Sequence, residues 1–444
     1  MLLTALLIAG AAAPPAVAAP ALVVRNVNVV PMDRERVLRS RDVTVRDGVI
    51  TAIGGSAPRD PGTVVIDGRG RYLVPGLADM HVHSTTSRDM TLFLAKGVTT
   101  VLNMGGARTD FVGQAVPKIN RGERPGPHIY LALRVDGTPQ YGQLVVSNAD
   151  QARATVTLAK TNGYDFIKVY NNLAPATFAA FIEEGRRQGL PVVGHGLTQV
   201  GLRHQLEGGQ LMVAHLEEYF YTYFFEPEAD VGMRAPKSGQ IADAVGATKR
   251  AGAFVTADLA TFAAMSAQWG RPEIVRQYLA ESATRYLAPD DRIAWRHAGY
   301  IRRTGSLVER HRFLKRFAKA LADGGVPLLV GTDTPTMPGL VPGFSVVSSL
   351  RALEDAGLTR FEALSAATRS PGMMIARAKP AERCFGVIAV GCRADFLLTA
   401  SNPLHDLETL REPLGVHAGK SWYTAAALAK SLDDLEREYR AVAQ

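Results

Sequence analysis

Short apolar runs, each closed by a polar side chain, recur through the middle of this chain and alternate with stretches of helical period. Leu73-Val74-Pro75-Gly76-Leu77-Ala78-Asp79-Met80 ends in His81-Val82-His83, Asp165-Phe166-Ile167 ends in Lys168, and Leu190-Pro191-Val192-Val193-Gly194 ends in His195. Leu211-Met212-Val213-Ala214 then ends in His215, and Val326-Pro327-Leu328-Leu329-Val330-Gly331-Thr332 ends in Asp333. Runs of this length and composition read as buried strands. Between them, Ala174 to Gln188 carries Phe178, Phe181 and Ile182 at i, i+3 and i+4, the spacing of a helix with one buried face. The pattern predicts strands at 77–83, 98–104, 127–134, 165–170, 191–195, 211–215, 253–258 and 326–333. The pattern implies an α/β chain whose eight parallel strands form a TIM-like (β/α)8 barrel delivering its strand-end side chains to one rim.

The two ends follow a different pattern. Ala21 to Val30 and Asp42 to Gly54 are strand-like, the second broken by an Asp-Gly turn, and Gly386 to Thr424 is similar. Two incomplete sheets from opposite ends complete each other as a small β-sandwich, with residues 19–75 and 386–444 flanking a barrel over 76–385. Leu428 to Val442 reads as a terminal amphipathic helix. The stretch from Phe262 to Asp323 is too long for one crossover; it is an insertion serving as a lid or pocket wall, or as peripheral padding.

The chain has 444 residues, 47% of them hydrophobic, enough for a large core. No run of 18 apolar residues interrupts the body, so no integral membrane domain is expected. The apolar Met1 to Gly10 and the small-residue pattern Ala16-Val17-Ala18 predict a signal peptide over 1–18 and a periplasmic or secreted protein, although a basic start is lacking. Net charge is +8. The basic residues are scattered, without a zinc finger or basic tail, which argues against nucleic acid and for a basic surface that favours anionic substrates. Cys384 and Cys392 are the two cysteines, and either a disulfide or two free thiols fits.

A strand sends residues i and i+2 to one face, so His81 and His83 can grip one cation. Gly76 to His83, Lys168, His195, His215 and Gly331-Thr332-Asp333, with the tail Gly386 to Leu398, together resemble the metal-dependent amidohydrolase superfamily. Within it they are most similar to the branch of prolidase-like dipeptidases, N-acyl amino acid hydrolases and imidazolonepropionase-like proteins. The family's tail usually carries a different residue at the Cys392 position. The resemblance implies two divalent ions, zinc first on ligand chemistry, with His81, His83 and Asp333 on one and His195 and His215 on the other. It also implies that Lys168 is N6-carboxylated and bridges the two, that a metal-bridging hydroxide attacks the substrate, and that Asp333 is general base and proton shuttle.

The expected reaction is hydrolysis of an amide bond in a dipeptide or N-acyl amino acid, the substrate carrying a free carboxylate. A cyclic amide or imide, or a lactone, ester or phosphotriester, is the alternative enzyme substrate, and a metal-dependent binding protein is the non-enzyme alternative. Candidate substrate contacts are His128, Arg134, Tyr141, Tyr170 and Tyr219. The ring-rich segment from Tyr219 to Phe225 lines an apolar pocket or packs internally. A homo-oligomer is left open.

Overall fold

A computed structural model describes residues 21–55, 61–224 and 234–442. The predicted signal peptide, and Phe225 with it, lie outside the described residues. Eight strands form the barrel: β1 (Leu77–Val82), β2 (Val98–Asn103), β3 (His128–Asp136), β4 (Phe166–Val169), β5 (Val192–Gly194), β6 (Met212–Val213), β7 (Phe254–Thr256) and β8 (Leu328–Leu329). Each pairs in parallel with the next. The ring closes where Met80 N–H donates to Val330 O (2.8 Å), Asp333 N–H to His81 O (2.8 Å) and His83 N–H to Thr334 O (2.7 Å). Met80, Leu102, Ala132, Phe166, Val193, Met212 and Leu329 fill one buried cluster, the layered interior that makes such a barrel a packed core and not a pore.

Three strands are shorter than the apolar runs that predict them, two of them for a local reason. Gly194 has φ of 129°, while His215 and Asp333 have φ of 77° and 57°. Backbones in the positive-φ region leave the extended ladder, so β5 and β6 end just where His195 and His215 turn into the rim, whereas β8 ends at Leu329, ahead of the turn at Asp333.

Both chain ends build the small β domain. Leu22–Val29 pairs antiparallel with Leu38–Arg46, which pairs with Val49–Ile53; Tyr72–Pro75 lies parallel to the first. Phe396–Thr399 joins Tyr72–Pro75 antiparallel and continues the sheet into Gly415–Ala418 and Ser421–Thr424. Val24, Val27, Val43, Ile50, Ile388 and Phe396 share its apolar core. Cys384 and Cys392 are joined by a disulfide. The terminal helix spans Ala425–Val442.

The long segment after β7 contains the helices Leu259–Gln268, Pro272–Ala280, Pro289–Arg296 and Val308–Asp323. Among the described residues, no helix is long and apolar enough to cross a membrane.

Leu397 ties the two domains together: its side chain is fully buried, it belongs to the main barrel core, and its methyls sit against Gly97 at the entry to β2. Leu397→Ala is therefore expected to cost about 2–5 kcal/mol of stability through lost burial and a residual cavity, read as a lower midpoint in urea unfolding.

Candidate active site

The four rim imidazoles stand in a row. Ring centroids are 5.4 Å apart for His83 and His81, 4.3 Å for His81 and His215, and 5.0 Å for His215 and His195. Asp333 Oδ1 lies 3.2 Å from His83 Nε2 and 3.5 Å from His81 Nε2, and Lys168 Nζ is 3.3 Å from the same His81 nitrogen. His81, His215 and Asp333 each offer a ligand atom within 4.8 Å of the others. The structure thus gathers side chains from β1, β4, β5, β6 and β8 at the strands' C-terminal ends, with a register shift in β1 between Asp79 and Val82.

Three of the four rings have a polar group beside Nδ1, and His81 Nδ1 is buried without a hydrogen-bond partner. His83 Nδ1 meets Gly105 O at 2.9 Å, His195 Nδ1 lies 2.6 Å from Glu218 Oε1, and His215 Nδ1 hydrogen-bonds Asp258 Oδ2. Glu218 is itself held by the Gly196 N–H at 3.0 Å. Where Nδ1 faces such a group, in His83, His195 and His215, Nε2 is left for the centre, and partners of this kind both orient a metal-ligating histidine and raise its basicity. Beneath them, Asp79 accepts from Thr332 Oγ1 (2.6 Å) and Thr332 N–H (3.0 Å), tying β1 to the residue before Asp333.

The donor set fits divalent cations. His195 Nε2 is buried and has no hydrogen-bond partner, which leaves a lone pair aimed at the centre without a proton donor. Burial, and then the neighbouring positive charges, push His81 and His195 well below the usual histidine range, keeping them in the neutral form a ligand needs. His215 goes the other way: burial opposes its charge, but Asp258 outweighs that and lifts it to about 10. A cation held at Nε2 would take that proton's place. Burial also raises Asp333, yet the His83 hydrogen bond and the charges of His83, His215 and Lys168 outweigh it and hold the carboxylate well below its ordinary value. Lys168, 1% exposed, is pushed down to about 7 by burial, against the pull of Asp333.

The candidate substrate contacts separate into two groups. Tyr170 stacks on His195 at 3.8 Å and on Tyr141 at 4.8 Å, a three-ring column beside the imidazole row. The loop carrying Tyr141 is fastened to the one after β4 by Asp136, which accepts from Asn172 N–H (2.8 Å) and Asn172 Nδ2 (2.9 Å). Arg134 is paired in register with Lys168, and its buried Nε has no hydrogen-bond partner. Gly105, at φ of 113°, makes room for it, since a Cβ there would sit 2.5 Å from Arg134 Cβ.

His128 and Tyr219 are elsewhere, a correction to the sequence expectation. His128 opens β3 at the strand's N-terminal end, against Tyr130, whose hydroxyl donates to Glu382; this is the barrel floor, opposite the ligand rim. Tyr219 is fully buried, shares a hydrogen bond with Thr248 Oγ1 (2.7 Å) and meets Phe317 edge-on. Phe220 and Phe224 likewise pack on Phe313. A turn of helix over Glu218–Thr222 sends these rings between the barrel and its outer helices, so within the described residues the ring-rich segment is core.

Glu218, Asp258 and Asp79 are absent from the sequence expectation. Asp258 follows a strand end as the ligands do, and Glu218 follows His215 by three positions, so a signal existed for both; nothing in one dimension pairs Asp79 with Thr332.

The chain matches the Amidohydrolase family over residues 72–420. It is similar in structure to a bottromycin amidohydrolase, with a TM-score of 0.73, 25% identity and coverage of 94% of this chain and 90% of that one. A Xaa-Pro dipeptidase structure with bound methionine has the same fold at a TM-score of 0.66 and 16% identity, over 91% of this chain and 100% of that one. Urease subunit alpha 1 of Streptomyces avermitilis is 34% identical over 85 residues, which is 17% of this chain and only 15% of the urease subunit's length.

Replacing Asp258 by Asn removes the acceptor charge behind His215. Metal retention in a chelator competition is expected to weaken about 10- to 100-fold, with the folded circular-dichroism spectrum preserved.

Proposed function

The chain belongs to the amidohydrolase family and is a hydrolytic enzyme, and from that premise we propose that it cleaves the amide bond of a dipeptide or N-acyl amino acid bearing a free carboxylate. The observation that carries this reading is Arg134: a guanidinium beside Lys168, with a buried Nε that has no hydrogen-bond partner. A planar cation with a free donor is suited to a carboxylate, whose two oxygens match the guanidinium fork.

Two divalent ions, zinc by ligand chemistry, would be held by His81, His83, His195, His215, Asp333 and a carboxylated Lys168, and would supply Lewis acidity toward water and carbonyl oxygen. The low basicity of Lys168 supports its modification. A buried amine pushed down to about 7 is about half uncharged at neutrality, and that fraction is nucleophilic; its nitrogen forms a bond to the carbon of carbon dioxide and loses one proton to solvent, giving an anionic carbamate in place of the neutral amine.

Asp333 is positioned for proton work. Its Oδ1 sits between the first two imidazoles, and its depressed basicity keeps it ionised before the reaction. It accepts the proton of the attacking water and returns it to the departing amide nitrogen. The Tyr170–Tyr141 column walls one side of the row, where it packs His195 and offers ring edges to an apolar substrate group. The dipeptidase and amidohydrolase names among the similar structures support peptide-like amides over lactones or phosphotriesters.

Two experiments test this. Lys168→Ala should lose activity by at least about 100-fold and recover part of it with added acetate or formate, a carboxylate standing in for the carbamate; full activity without rescue would refute the bridging role. Arg134→Met, assayed on a mass-spectrometric panel of dipeptides and N-acyl amino acids, should raise KM about 10- to 100-fold, the worth of one charge-assisted contact, and leave C-terminally amidated analogues unchanged. Equal wild-type turnover of acid and amide substrates would overturn the carboxylate reading.

A further inference from the structure

We infer that Trp295, far along the sequence from every rim residue, is a positioning residue for Asp333, so that the helical insertion acts as a brace for the catalytic loop and is neither lid nor padding. The inference rests on the proposed role of Asp333. It starts from the backbone of that residue, whose φ of 57° is a left-handed conformation that non-glycine side chains adopt only where their surroundings enforce it.

On its inner side the loop is enforced by the barrel. Asp333 N–H donates to His81 O and His83 N–H to Thr334 O, and within the loop itself Thr336 N–H donates to Asp333 O at 3.0 Å. On its outer side the insertion takes over. The Trp295 indole N–H donates to Pro335 O at 2.7 Å, two residues past Asp333, and Trp295 is 1% exposed. Its ring is buried with Val275, Leu287 and Val341, joining three insertion residues to the far end of the loop. Gln268 Nε2 reaches Pro338 O at 3.4 Å and Met337 Sδ at 3.5 Å. Gly339 adopts φ of 93°, and a Cβ there would lie 2.8 Å from the Tyr278 ring. Three separate insertion side chains therefore press on the segment from Pro335 to Gly339. Of these three the indole hydrogen-bonds the backbone nearest the carboxylate, and just ahead of the insertion Thr261 Oγ1 donates to Thr332 O at 3.2 Å.

A loop held from both sides keeps Asp333 Oδ1 at its distances from His81 and His83; one held only from inside lets the carboxylate swing. Swinging would weaken cation retention and slow proton transfer together, while leaving substrate binding at Arg134 untouched.

The test uses the full chain loaded with zinc and the best substrate of the panel above. Trp295→Phe keeps a buried ring and deletes the N–H. Its kcat should fall about 10-fold or more with KM changed less than about twofold, and a chelator should strip zinc about 10-fold faster, the range seen when a ligand's supporting hydrogen bond is removed. Asp333→Asn separates the two layers of the argument. A fully metallated Asp333→Asn enzyme working at the wild-type rate would refute the role of Asp333 itself. A slow Asp333→Asn enzyme beside a Trp295→Phe enzyme with unchanged kcat and zinc retention would overturn the brace alone. So would a lower Tm with wild-type kcat per metallated molecule, because that is packing without positioning. Should Trp295→Phe fail to fold, Gln268→Met, which removes the amide contact to Pro338, is held to the same direction in kcat and zinc retention.

Discussion

Closure of the barrel is the constraint on which the site depends. Met80, His83 and Asp333 donate backbone hydrogen bonds across the seam between β1 and β8, and the same three bonds that end the sheet set Asp333 against His81 and His83. Without closure the first and last ligand positions, some 250 residues apart in sequence, have no reason to meet. A closed ring also has no free edge, so the seam is fixed by the same backbone pairing that stabilises the rest of the sheet.

Closure imposes burial, and burial decides the protonation states. Carrying four imidazoles, a lysine and several carboxylates into a low-dielectric rim penalises every charge, and the structure answers with pairing. His81 and His195 stay neutral; His215 stands against Asp258; Lys168 is driven toward its uncharged form; Asp333 keeps its charge because the surrounding cations outweigh its desolvation. A cluster of this composition is a poor way to stabilise a fold and a good way to hold cations, since each divalent ion replaces protons and mutual repulsion with coordination.

The elements outside the barrel serve the rim from a distance. The three-ring column of His195, Tyr170 and Tyr141 buttresses one end of the imidazole row, and the insertion lies against the loop after β8 at the other. The small β domain is locked to the barrel's entry turns by Leu397 on Gly97. Arg393 carries the contact to the floor, where it meets Asp395 and Thr100 Oγ1. Functional chemistry and structural polar clusters therefore occupy opposite ends of one barrel, which is why His128 and Arg134, six residues apart on β3, have different surroundings.

What the sequence determined by itself is what short-range physics dictates. Apolar runs of strand length spaced by helical periods make a βα barrel, and polar residues closing those runs lie on one rim because all parallel strands point the same way; the ligand-type residues at 81, 83, 168, 195, 215 and 333 were legible on that ground. Tertiary structure alone decided which other residues face them. Whether a ring such as Tyr219 enters the site or the core depends on the turn of helix after β6, and whether Arg134 or His128 is near the chemistry depends on which end of β3 is up. Glu218, Asp258 and Trp295 act through partners 23, 43 and 40 residues away. Such pairings are set by side-chain packing and backbone hydrogen bonds in three dimensions, and no periodicity along the chain encodes them.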